Sequence, residues 1–85
     1  MAMVVTKPEE ERRADLIREL LLRHEPVIAR AVETAPVCRL EHQVLVLDYQ
    51  DPLWAAWAKV LSDTKQKPRL EAAAKQIGIG VQVLS

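Results

Sequence analysis

His24, Cys38 and His42 are the side chains in this sequence best suited to soft-metal binding or nucleophilic chemistry. Cys38 and His42 stand four positions apart, near enough in the chain for a thiolate and an imidazole to work together. A structural zinc site, however, usually takes four ligands in paired motifs, and there is no second cysteine. Cys38 lies on a strand-like run between Val37 and Leu40, which predicts a buried, inert thiol. Asp48 and Asp51 could form a carboxylate pair, but Asp51 precedes Pro52 and reads as a helix cap. The chain has no serine-centred elbow, no phosphate-cradling glycine loop and no HExxH. Eighty-five residues also leave little material for an enclosed substrate pocket. The sequence therefore predicts no enzyme, no metal site and no cofactor.

Two binding chemistries remain. Lys59, Lys65, Lys67, Arg69 and Lys75 make the second half locally basic, and Trp54 could stack an exposed base. Lys65, Lys67, Arg69 and Lys75 are the residues a nucleic-acid-binding reading would use. Against it, Trp57 and Tyr49 read as core, and the GxxG loop of a nucleic-acid-binding KH domain is missing. Gly78-Ile79-Gly80 is not that motif. The second chemistry is apolar docking. If Leu45, Leu47 and Tyr49 face a core, alternation turns Val44, Val46 and Asp48 outward. Leu22 falls off the apolar stripe of its helix, and Trp54 sits at the edge of another. Leu22, Val44, Val46 and Trp54 form the predicted protein-docking surface.

Those residues need elements to hold them. Thr6 and Glu9 have capping-box spacing, Pro8 suits a first turn, and Glu9, Glu10 and Glu11 suit the positive end of a helix dipole. Leu16, Ile17, Leu20 and Leu21 continue at helical spacing, which predicts a helix over 7–24 after a loose lead-in over 1–6. Val27, Ile28, Ala31, Val32 and Ala35 mark a second helix from Pro26 to Ala35, stopped by Pro36. Val37–Glu41 and Val44–Tyr49 read as an antiparallel strand pair. Asp51-Pro52 starts a third helix, with Leu53, Trp54, Trp57, Ala58 and Leu61 on one face. Leu70, Ala73, Ala74 and Ile77 mark a fourth helix, closed by Gly78, and Gly80–Leu84 a last short strand. The order α-α-β-β-α-α-β predicts an α+β fold: a small three-stranded sheet with helices on one face, in a single domain over 7–85.

Composition bounds the rest. Twelve basic and twelve acidic side chains cancel, which argues against a protein that coats DNA. A lone cysteine allows no internal disulfide and suits a reducing, cytoplasmic setting. The apolar runs are far too short for a membrane helix, and Met1–Val5 lacks the pattern of a signal peptide.

The run from Pro36 to Ser85, with its apolar Leu45-x-Leu47-x-Tyr49 strand, then Asp51-Pro52-Leu53-Trp54-Ala55-Ala56-Trp57, Gly78 and Val81-x-Val83, resembles the pseudo-KH domains of bacterial replication proteins. The strand and the helical lead-in over 16–35 are similar to the C-terminal domain of the tau subunit of DNA polymerase III. Leu53 and Trp57 match a pair in the N-terminal domain of the DnaA initiator, although that family's earlier Trp is absent. Trp54-Ala55 matches the DciA-type helicase loader, which is generally more basic and carries an early Trp that this chain lacks. The resemblance implies a non-enzymatic adaptor that docks onto a replicative polymerase or helicase subunit. The neutral charge favours the tau-like and DnaA-like relatives over the DNA-contacting loader.

Overall fold

The computed structural model describes residues 8–85, and the first helix, expected over 7–24, ends at Leu22. The predicted lead-in over 1–6 and the Thr6–Glu9 capping pair fall outside the described residues. Helix α1 (Pro8–Leu22) places Glu9, Glu10 and Glu11 in its first turn and carries ion pairs one turn apart, Arg13–Glu10 at 3.0 Å and Arg23–Glu19 at 3.1 Å. It ends without glycine. His24 takes the left-handed conformation at φ 59°, and the Glu25 N–H turns back to the Leu20 carbonyl at 2.9 Å. Pro26 opens α2 (Pro26–Glu33).

Strands β1 (Val37–Glu41) and β2 (Val44–Asp48) form an antiparallel hairpin. Its turn is only His42-Gln43, and both residues have positive φ, 50° and 64°. A two-residue hairpin loop favours that backbone because it matches the strand twist, and it normally recruits Asn-Gly. A 3-10 turn, Pro52–Trp54, follows, capped by the Asp51 carboxylate, which accepts the Leu53 N–H at 3.0 Å. Then come α3 (Ala55–Ser62), α4 (Gln66–Gln76) and β3 (Gly80–Leu84). Gly78, at φ 77°, closes α4. β3 pairs parallel to β2, so the sheet is mixed, with β2 in the centre. The fold is α+β in the predicted order.

Register explains how the sheet meets the helices. Leu40, Leu45 and Val81 form one row across the three strands, and Cys38, Leu47 and Val83 the next. Both rows belong to a single core together with Leu16 and Leu20 of α1, Ile28, Ala31 and Val32 of α2, Ala58 and Leu61 of α3, and Leu70, Ala73 and Ala74 of α4. Each fully buried Leu, Ile or Val side chain contributes roughly 1.5–3 kcal/mol.

The C-terminal end of α2 is tied to the sheet by one side chain. The Ala35 N–H, which would continue the helical ladder to Ala31, bonds instead to Val32 at 3.4 Å. The freed Ala31 carbonyl accepts the hydroxyl of Tyr49, whose ring is completely buried just beyond β2, and shares the Thr34 hydroxyl, at 3.1 Å, with the Arg30 carbonyl at 2.9 Å.

Three stripe residues leave the core that periodicity assigned them to. Leu21 and Val27 are each 54% exposed, and Leu53 is 83% exposed. Leu21 lies one position round from Leu20, outside the narrow arc that α2 and α4 cover. Val27 lies beside the buried arc of Ile28, Ala29, Ala31 and Val32. Leu53 is thrown outward because the first turn after Asp51 is the tighter 3-10 form. Trp57 is half-buried at the core margin rather than central. No helix among the described residues is long and apolar enough to cross a membrane.

Candidate docking surface

Leu22 ends α1 and is 70% exposed. Leu21 precedes it, and Val27 lies across the turn that joins α1 to α2. Three of the five large apolar side chains exposed among the described residues thus fall within seven positions around one corner. The sequence pointed to Leu22 only. Leu21 and Val27 were hidden because each fits a helical stripe that the tertiary packing does not fully use.

The other predicted docking residues do not join this corner. Val44 and Val46 face away from the helix-side rows, as alternation predicts. Val46, however, is only 2% accessible, which removes it as a docking contact. It lies at the middle of the central strand, paired with the longer Arg39 on one side and Gln82 on the other. Val44 is half-buried at the start of β2, and Trp54 comes six residues after its end, half-buried against the core. The four predicted docking residues are therefore not one surface.

The basic residues divide as well. Lys59, Lys65, Lys67, Arg69 and Lys75 are all exposed. Every ion pair among the described residues uses an arginine, and none uses Lys59, Lys65, Lys67 or Lys75. Arg69 pairs with Glu25 at 3.4 Å, which brings the first turns of α4 to the α1–α2 corner. Lys75 lies eight residues further along α4 than Lys67, about 12 Å at helical rise. Lys75 thus stands apart from Lys65, Lys67 and Arg69 at the start of α4. From Pro52 onward five cations face only two carboxylates, Asp63 and Glu71, so the neutral total conceals a basic α3–α4 side. Asp63 is occupied locally. Its carboxylate accepts the Lys65 N–H at 2.8 Å, and its carbonyl accepts the N–H groups of Gln66 and Lys67.

The apolar corner and the basic side meet at Val27. With Lys59, Val60, Asp63, Lys65 and Gln66 it lines an open cleft of about 480 Å³ between α2 and the α3–α4 junction. The Gln66 amide oxygen is buried and has no hydrogen-bond donor. Two further clefts run between α4 and β3, lined in part by Leu70, Val81 and Val83 and by Ala72, Lys75 and Gly80.

The residues with catalytic potential are arranged otherwise. The Cys38 thiol points to the Glu9 carbonyl at 3.9 Å, and burial pushes its pKa up. An activated nucleophile needs the opposite shift. His24 and His42 are exposed at two separate turns. No three His, Cys, Asp or Glu side chains among the described residues come together in a way that could hold a metal ion. No protein-family model, curated protein or solved structure matches the chain.

Proposed function

We propose that the chain is a non-enzymatic protein-docking module. On the resemblance of its second half to pseudo-KH domains, we place it in the cytoplasm, serving bacterial DNA replication, with a polymerase or helicase subunit as partner. The observation that supports docking is the exposed corner of Leu21, Leu22 and Val27 on a chain this small. Covering apolar surface there yields roughly 25 cal/mol per Å² removed from water, and a partner is what could cover it.

The test is direct binding of the purified chain to purified DNA polymerase III alpha subunit and to replicative helicase. Leu22→Asp is expected to weaken the complex at least about tenfold, while circular dichroism shows the fold intact. Trp54→Ala, at the far end of α3, is expected to leave the affinity unchanged. If neither subunit binds, the replication assignment fails. If binding is indifferent to Leu22→Asp, the corner is not the docking surface. A second reading, nucleic-acid binding through Lys65, Lys67, Arg69 and Lys75, draws on the unpaired lysines. It requires affinity for DNA that collapses as salt rises, because phosphate contacts release counterions.

A further inference from the structure

We infer that the segment docking on this corner is acidic and amphipathic, with apolar side chains that cover Leu21, Leu22 and Val27 and carboxylates that meet Lys59 and Lys65. This rests on the docking reading above and adds the chemistry of the partner. The cleft at Val27 continues the apolar corner and ends on Val60, so an apolar side chain entering it meets aliphatic groups on two sides. Its rim is cationic and uncommitted. Lys59 and Lys65 are exposed and make no ion pair among the described residues. The one carboxylate in the cleft wall, Asp63, accepts the Lys65 backbone N–H and keeps its charge, so the lining carries two cations against one anion. Partner carboxylates therefore meet a rim with a net positive charge and two lysines free to pair, which favours encounter and register.

The Gln66 oxygen adds an independent sign. A buried acceptor left without a donor costs roughly 1–3 kcal/mol. Gln66 lines this same cleft, where an N–H of a seated chain would supply the missing donor. The same wall argues against nucleic acid as the occupant. Single strands are held by aromatic stacking as well as charge. Tyr49, Trp54 and Trp57 are the chain's only tyrosine and tryptophan residues, and it has no phenylalanine. The first is fully buried and the other two pack against the core. Aliphatic Leu21, Leu22, Val27 and Val60 suit peptide side chains instead.

The experiment selects binders from a random-peptide display library on the whole chain, then measures synthetic copies by fluorescence polarisation. Enriched peptides are expected to combine Asp or Glu with Leu, Ile or Phe. Their affinity should fall at least about tenfold against Val27→Asp and against the double variant Lys59→Glu/Lys65→Glu. Replacing the peptide's acids by lysine should restore binding to the charge-reversed protein. Peptides without acidic bias, or indifferent to the lysine reversal, overturn the acidic partner while leaving docking intact. Peptides indifferent to both Val27→Asp and Leu22→Asp, or no enrichment at all, overturn the surface itself. Oligo(dT) binding that is lost with the lysines and untouched by Val27→Asp assigns the rim to nucleic acid and refutes the inference.

Discussion

Tyr49→Phe removes one oxygen and keeps the buried ring. Its effect therefore isolates the hydrogen bond that joins the sheet to the end of α2. A net intramolecular hydrogen bond contributes about 0.5–1.5 kcal/mol. The Thr34 hydroxyl, shared with the Arg30 carbonyl, can turn its proton to Ala31 after the change, so the penalty for a wholly unsatisfied acceptor is avoided. The expected loss is about 1 kcal/mol, or a Tm lower by about 4–8 °C for a domain of this size. Thr34→Val alone should cost less, because Tyr49 still serves the carbonyl. Together the two changes strip the Ala31 oxygen of both side-chain donors, and the helical donor is already committed to Val32. The double variant should then exceed the sum of the singles by about 1 kcal/mol. Urea unfolding followed by circular dichroism, with unchanged m-values, gives all three numbers. A Tyr49→Phe protein as stable as the parent, or strict additivity in the double variant, would refute the idea that this phenol completes the helix end.

Burial raises the pKa of the Tyr49 phenol and of the Cys38 thiol. Both groups hold their protons in the folded state at pH values where the unfolded chain has released them, so stability must decline as pH climbs past the ordinary thiol and phenol ranges, by up to about 1.4 kcal/mol per pH unit for each proton. Thermal melts across the alkaline range should show it, with a shallower fall in Tyr49→Phe, and a flat profile would contradict the burial of these groups. In the hairpin, His42→Asn with Gln43→Gly puts residues that tolerate positive φ into a turn that demands it. The pair should raise stability by about 0.5–1.5 kcal/mol in urea titrations, since each ordinary residue in the left-handed region costs about 1–2 kcal/mol.

The order of elements could be read from the sequence because punctuation sits at most boundaries. Pro26, Pro36, Asp51-Pro52 and Gly78 mark starts and stops by backbone geometry alone, and the structure follows them. The helix-facing side of β2, with Leu45, Leu47 and Tyr49, was equally clear from alternation. What periodicity could not supply was the width of each buried arc. Leu21 and Val27 satisfy helical spacing as well as Leu20 and Ile28 do, and only the neighbouring helices decide which are covered. Leu53 was misplaced because a 3-10 first turn rotates it off the α-helical face. Val46 was rightly assigned to the open side of the sheet but not recognised as covered, since cover there depends on strand order. That β3 lies beside β2 rather than β1 is a long-range fact that local patterns do not carry.

That placement of β3 has a kinetic consequence. The hairpin closes across two residues, a local event on the microsecond scale. The parallel pairing of Val44 with Gly80 spans the whole of α3 and α4, so a large loop must lose its entropy to close it. Until β3 arrives, the second edge of β2 is an open template carrying Leu45 and Leu47, and β3 from another molecule fits it as well as its own does. Crowded refolding therefore sets this chain between intramolecular closure and exchange of its last strand with a neighbour, and dilution decides which one wins.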